Sequence, residues 1–325
     1  MFSFRKINTF ILISTVLVSP VVAADAYPDK PVRMIISFTA GGSTDLLGRE
    51  YARRLEQRLG QSVVIENKPG ANGNIGTQYV SKSTPDGYTL LIGNMGPIAV
   101  NPALMPDFNL DARTDLTSIS PFVAAPNVLV VGNDVPATTF EEFREWVKSQ
   151  PKDSITYGST GVGTAAHLSS YALSQKLGVP MLHVPYKGSG GLVDIVAGRV
   201  HFTMATAPSV LNLIESGKLR ALLLTGDKRL PALPDVPSAS EYGMGDSLIS
   251  AWYGIFGPPD LPENVTTRIN KETYDMLSNP EFVEKIGSMG AVTAKPATPE
   301  QYASFVASEL VRMKNTVEAL NATVQ

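Results

Sequence analysis

The chain has 325 residues, 43% hydrophobic and 18% charged, enough apolar material for a sizeable core and enough length for two domains of ordinary size. Its 27 basic against 30 acidic residues leave no positive field for a nucleic-acid backbone or an anionic membrane surface. The complete absence of cysteine excludes disulfides, zinc–thiolate sites, a thiol nucleophile and a lipid-anchored N-terminal cysteine, and only His167, His183 and His201 supply imidazole.

Arg5 and Lys6 precede an uncharged apolar stretch over 7–22 that ends in Ala23-Ala24-Asp25-Ala26. This is the layout of a secretory signal peptide; Asn8 and Pro20 interrupt the run, and it is too short for a spanning anchor. Cleavage is placed after Ala24 or Ala26, and residues 1–24, the first choice, are read as the leader. Losing Arg5 and Lys6 from the 27 basic residues leaves 25 against 30 acidic ones, a net charge of −5. An exported, mildly acidic chain without cysteine suits a periplasm.

Beyond the leader, short apolar runs alternate with helical patterns. Val32–Ser37 reads as a strand, followed by a glycine loop and a helix with Leu47, Tyr51, Leu55 and Leu59 on one face, stopped by Gly60. Residues 63–66, 88–92 and 127–131 read as buried strands, and 154–157 as another, followed by a glycine loop and a helix from about Thr164 to Leu177 ended by Gly178. Alternation of this kind predicts an α/β fold of right-handed βαβ units on mostly parallel sheets. Leu230–Pro237 reads as a rigid surface connection, and Thr298-Pro299-Glu300-Gln301 as the start of a long structural helix.

Two loops in different halves share one construction: Phe38-Thr39-Ala40-Gly41-Gly42-Ser43-Thr44-Asp45 and Tyr157-Gly158-Ser159-Thr160-Gly161-Val162-Gly163-Thr164. Each leaves a strand, turns on glycines that tolerate positive φ and opens a helix whose first N–H groups lack partners, a ready anion site. A third loop, Gly93-Asn94-Met95-Gly96, adds a side-chain amide, with Met95 either an apolar wall or simple packing. Taken singly, each loop is also an ordinary βα turn with Ser and Thr as helix caps.

Enzyme motifs fail on the same residues. Gly161-Val162-Gly163-Thr164-Ala165-Ala166 fits the dinucleotide pattern, but no Asp or Glu occurs from Ser154 through Val193 to hold a ribose. Neither a phosphate loop nor a nucleophile elbow is present, and no metal-ligand spacing links the histidines, so neither cofactor nor metal is expected. His183 and His201 read as hydrogen-bonded structural residues; His167, four residues into the helix behind the second loop, stays open between structure and site.

The chain resembles the Bug-type periplasmic solute receptors of tripartite tricarboxylate transporters. The resemblance is carried by Tyr27–Arg33, Phe38–Asp45, Glu66–Gly76, Tyr157–His167, His183–Gly188 with Asp194 and Ala197-Gly198, Gly217–Ala221, Leu233–Pro237 and Gly257–Pro262, in that order. It implies a two-lobed binding-protein fold of the type II kind, lobe one being 27–124 plus 251–325 and lobe two 125–250, joined by two crossover strands near 121–126 and 250–256. A small organic carboxylate would lie in the cleft between the lobes, held by backbone N–H groups, hydroxyls and water, on its way to inner-membrane permease subunits. The expected ligand-binding residues are Phe38, Ala40, Gly41, Gly42, Ser43, Thr44, Asp45, Asn94, Met95, Ser159, Thr160, Gly161, Gly163, Thr164, His167, Lys187 and Asp194. Asp45 is expected to stabilise its helix start in preference to meeting the ligand. The protein reads as a monomeric, non-catalytic periplasmic receptor; the alternatives are a ligand sensor feeding a signalling partner, and an enzyme acting on a small acid with His167 as base.

Overall fold

The computed structural model describes residues 27–105 and 107–319; the leader falls outside them. In chain order the elements are β1 (Val32–Ile36), α1 (Ser43–Leu59), β2 (Val63–Asn67), α2 (Asn74–Ser81), β3 (Thr89–Asn94), a one-turn α3 (Asn101–Leu104) and β4 (Thr117–Ala125). There follow β5 (Asn127–Val131), α4 (Phe140–Ser149), β6 (Thr156–Ser159), α5 (Ala165–Leu177), β7 (Leu182–Pro185), α6 (Gly191–Val196), β8 (Phe202–Thr206), α7 (Ala207–Glu215) and β9 (Arg220–Leu224). The chain closes with β10 (Ala251–Gly257), α8 (Glu263–Leu277), α9 (Pro280–Ser288), β11 (Val292–Thr293) and α10 (Pro299–Ala319).

The strands sort into two sheets, ordered β11-β4-β10-β3-β1-β2 and β7-β6-β8-β5-β9. In the first, β2, β1 and β3 pair in parallel, while β10 runs antiparallel between β3 and β4. In the second, β7, β6 and β8 pair in parallel, while β5 runs antiparallel between β8 and β9. The sheets are therefore mixed around a parallel core. Each carries one reversed inner strand, and these two strands bring the chain into its lobe from the other: β5 directly after β4, and β10 on the return.

Local sequence explains the elements. Val32, Met34, Ile35 and Ile36 on β1 are all fully buried, as a central strand covered on both faces requires. Helix α1 sinks Leu47, Tyr51 and Leu55 beside it, about 1.5–3 kcal/mol for each such side chain. Gly60 and Gly178 stop α1 and α5 in the left-handed conformation, at φ 69° and 68°. On β5, Leu129 and Val131 enter one core and Val128 and Val130 the other, the period-two alternation of a strand between two helix layers. The start of α10 is a reciprocal cap: Gln301 N–H donates to Thr298 Oγ1 and Thr298 N–H to Gln301 Oε1. Two details differ from the sequence reading. Strand β6 lies two residues later than 154–157, and Leu230, Leu233 and Val236 are buried, so the proline-rich connection packs onto lobe two.

Candidate functional site: the cleft between the lobes

A cavity of about 90 Å³ lies between the lobes. Lobe one contributes Phe38, Thr39, Gly42, Ser43 and Thr44 after β1, Asn94 at the end of β3, and Ala251 and Tyr253 from β10. Lobe two contributes the Gly158–Thr160 turn with Thr164, Ala165 and Ala166, then Gly188, Gly191, Leu192 and Ile195, then Thr203, Ala205, Thr206 and Ser209 around the end of β8. No Asp, Glu, Lys, Arg or His is among these lining residues.

The lobes touch across the cleft. Asn72 Nδ2 donates to Val162 O at 2.6 Å, and the hydroxyls of Ser43 and Thr206 meet at the junction of α1 with α7. Gly163 stands at φ 79°, where a Cβ would come within 2.8 Å of Leu104, 3.2 Å of the Asn101 carboxamide and 3.4 Å of that of Asn72, all from lobe one. The second glycine loop is thus shaped by the approach of the other lobe.

The first loop is held by charge. Gly41, at φ 81°, donates its N–H to Asp45 Oδ2 at 3.0 Å; Asn67 Nδ2 and Arg49 Nε each reach the same carboxylate at 2.9 Å. Burial alone would raise the Asp45 pKa, but the hydrogen bonds from Arg49, Gly41 and Asn67 outweigh it and hold the group below its ordinary value. Its oxygens are consumed by the loop, and it does not line the cavity. Gly42, at φ −81°, is in the extended region; only Gly41 of that pair uses the positive φ expected of both. Gly42 offers no side chain to cap α1, and Leu46 N–H closes the first turn on Gly42 O, so the N–H groups of Ser43, Thr44 and Asp45 have no intrahelical partner.

The second loop is held by two neutral imidazoles. His167 and His183 stack with ring centroids 4.1 Å apart, and the Tyr157 ring lies alongside both, 5.0 Å from His183 and 6.4 Å from His167. Gly163 N–H donates to His167 Nδ1 at 3.1 Å, which fixes the proton of that ring on Nε2, and the Ser159 hydroxyl is 2.7 Å from His183 Nε2. Burial drives both rings down to about 4, His167 further affected by its neighbour His183, so both are neutral at pH 7. The loop binds several of its own polar groups: Gly161 N–H donates to Ser159 Oγ, Thr164 Oγ1 donates to Gly161 O, and the same hydroxyl caps α5 through His167 N–H.

Of the residues singled out in the sequence, Phe38, Gly42, Ser43, Thr44, Asn94, Ser159, Thr160 and Thr164 come together on the cavity wall. Ala40, Gly41, Asp45, Gly161, Gly163 and His167 do not line it. Met95 is buried in the lobe-one core, so it packs. Lys187 is exposed, and Asp194 is occupied by Arg199 at 2.5 Å and by the Tyr186 hydroxyl at 2.5 Å. His201 accepts from Thr156 N–H at 3.0 Å, a structural bond. The sequence reading did not single out Tyr253, Thr206, Ser209, Leu192 or Ile195. For Tyr253 a signal existed: in a crossover strand with Trp252 turned to Glu309, Ala251 and Tyr253 must face the other way, towards the cleft.

Residues 47–322 match the model of the tripartite tricarboxylate transporter family receptor. The chain belongs to that family. It is similar to Protein BugT of Bordetella pertussis, 34% identical over 317 residues, 97% of each chain. Among solved structures it resembles the periplasmic binding protein BugD, 32% identical with TM-score 0.85 over 92% of this chain and 100% of that one. It also resembles an R. palustris protein solved with adipate, 32% identical with TM-score 0.87 and the same coverage. The receptor is thus a Bug-type solute-binding protein with the two-lobed fold of its relatives.

Proposed function

We propose that this receptor captures a small organic carboxylate in the interlobe cleft of the periplasm and hands it to a tripartite-type permease in the inner membrane. The observation that carries the reading is a cleft walled by glycine loops and helix starts and containing only neutral donors. Such a wall stabilises an anion without a buried ion pair that must be broken on release, which suits a carrier of cargo. A relative solved with adipate supports the chemical class. The lobes are 27–124 plus 251–325 and 125–250, the mature chain is a monomer, and residues 1–24 are its leader. His167 supports this reading over an enzyme: its Nδ1 already accepts from Gly163, and the ring does not line the cavity.

Native mass spectrometry of freshly purified protein tests capture: a retained small acid, displaced by denaturation, is expected, whereas protein that carries no acid and binds none in calorimetry would end the proposal. Uptake of a labelled acid that binds, with and without the receptor gene, tests delivery. Uptake unchanged by the deletion would point to the sensing role.

A further inference from the structure

The cleft is polar at one end and apolar at the other. At the polar end α1 and α7 meet start to start, and neither has a side-chain cap. Tyr253, 3% exposed, lies there with Ser43, Thr44, Thr206 and Asn94 within reach of its hydroxyl. Burial pushes that phenol up to about 12, so it remains a protonated donor throughout the physiological range. Asn94 Oδ1 accepts from Gly96 N–H at 2.9 Å, which leaves its amide NH2 as a further donor.

Lobe two presents a different surface. Three hydroxyls of its wall commit their protons inward: Thr203 donates to Gly158 O at 2.8 Å, Ser209 to Thr206 O at 2.7 Å and Thr164 to Gly161 O at 2.8 Å. What these groups turn to the cavity is methyl and methylene, continuous with Leu192, Ile195 and Ala205. A second ionised group lodged against Leu192, Ile195 and Ala205 would meet no cation and would lose its hydration without replacement.

Resting on the carboxylate-receptor reading, we infer that the cleft takes an acid with one carboxylate and an apolar body, its head at the α1–α7 junction beside Tyr253 and its body against Leu192 and Ile195.

Calorimetry with hexanoate and adipate, equal in carbon number and differing in the second carboxylate, tests this directly. Hexanoate should bind more tightly than adipate by roughly tenfold or more. Tyr253→Phe should weaken hexanoate by roughly tenfold or more, since it deletes a donor to a charged group. Leu192→Asn, at a half-buried position that tolerates a polar side chain, should narrow or reverse the preference. Adipate binding as well as or better than hexanoate overturns the inference while leaving the receptor reading intact, and so does hexanoate affinity unchanged in a folded Tyr253→Phe variant. Binding of neither acid, with no acid retained in native mass spectrometry, fails both.

Discussion

The two glycine loops occupy equivalent places, each after a strand and before a long helix, yet they are braced by opposite chemistry. The lobe-one loop is tied by an ionised carboxylate, a guanidinium and an amide; the lobe-two loop is tied by two stacked neutral imidazoles and hydroxyls. The first brace leaves the start of α1 without a side-chain cap, whereas in the second Thr164 caps α5 through His167 N–H and leaves the Ala165 and Ala166 N–H groups without an intrahelical partner. Similar loop sequences therefore give an uncapped helix start in one lobe and a capped one in the other. The braces also answer to different perturbations, which separates them experimentally.

Acid should separate them most strongly. A histidine whose folded pKa is about 4 against an ordinary value near 6.5 binds fewer protons when folded, so its stabilising effect is complete above 6.5 and is lost as pH falls towards 4. For His167, 6% exposed, the loss is on the order of 3 kcal/mol, and the added proton lands on Nδ1, where Gly163 now donates. The Asp45 brace, whose pKa is lowered, keeps its contribution above the ordinary carboxylate range and loses it only below. Urea unfolding from pH 7.5 to 4 should show stability falling below about 6.5, with a shallower fall in His167→Gln. Parallel curves for the two proteins would show that the imidazole is not the acid-sensitive part.

That asymmetry marks how far the sequence could be read. The strands around β1 and β5 and the helices after each loop were legible because their patterns are local: apolar runs, the i, i+4 face of Leu47, Tyr51 and Leu55, and glycines placed to stop α1 and α5. The insertion of β10 between β3 and β4 was not, since it depends on pairing across more than a hundred residues of chain. At the site, both loops were visible as helix starts. That Thr164 caps α5 and Gly42 leaves α1 uncapped could be read from the residues; that His167 accepts from Gly163 N–H was hidden, because it depends on where the ring lies once α5 is packed. Leu192, Ile195 and Thr206 reach the cavity only through the order of strands in the second sheet.

Glycine substitutions sharpen the comparison at an intermediate scale. Gly41→Ala and Gly163→Ala both place a Cβ at positive φ, costing about 1–2 kcal/mol of stability. Around Gly41 the space is open, with nothing within 4 Å of the new carbon, whereas at Gly163 the carbon meets Leu104 and Asn101 of the opposite lobe. Thermal unfolding should therefore fall by similar amounts in the two variants, but calorimetry with a bound acid should show roughly tenfold weaker binding only in Gly163→Ala, because the lobes no longer approach fully. Equal affinities would mean that the second loop does not set the distance between the lobes.

The smallest effect belongs to Asn72, which crosses from lobe one into the second loop. Its backbone, at φ 55° and ψ 37°, is left-handed, and its Nδ2 donates both to Val162 O and, at 3.0 Å, to Asn101 Oδ1 within its own lobe. Asn72→Gly keeps the conformation open to the chain while deleting the amide, so an interlobe bond is removed without backbone strain. One neutral hydrogen bond contributes about 0.5–1.5 kcal/mol. Since this one exists only when the lobes are together, its loss should weaken ligand binding by roughly two- to tenfold, seen as faster release. The unfolding midpoint of the ligand-free protein should fall only by what the Asn101 bond within lobe one contributes, because a bond between the lobes is given up whenever they separate. Stopped-flow displacement of the bound acid reads the release rate directly. An unchanged rate with a lowered unfolding midpoint would assign Asn72 to the stability of lobe one instead of the closure of the cleft.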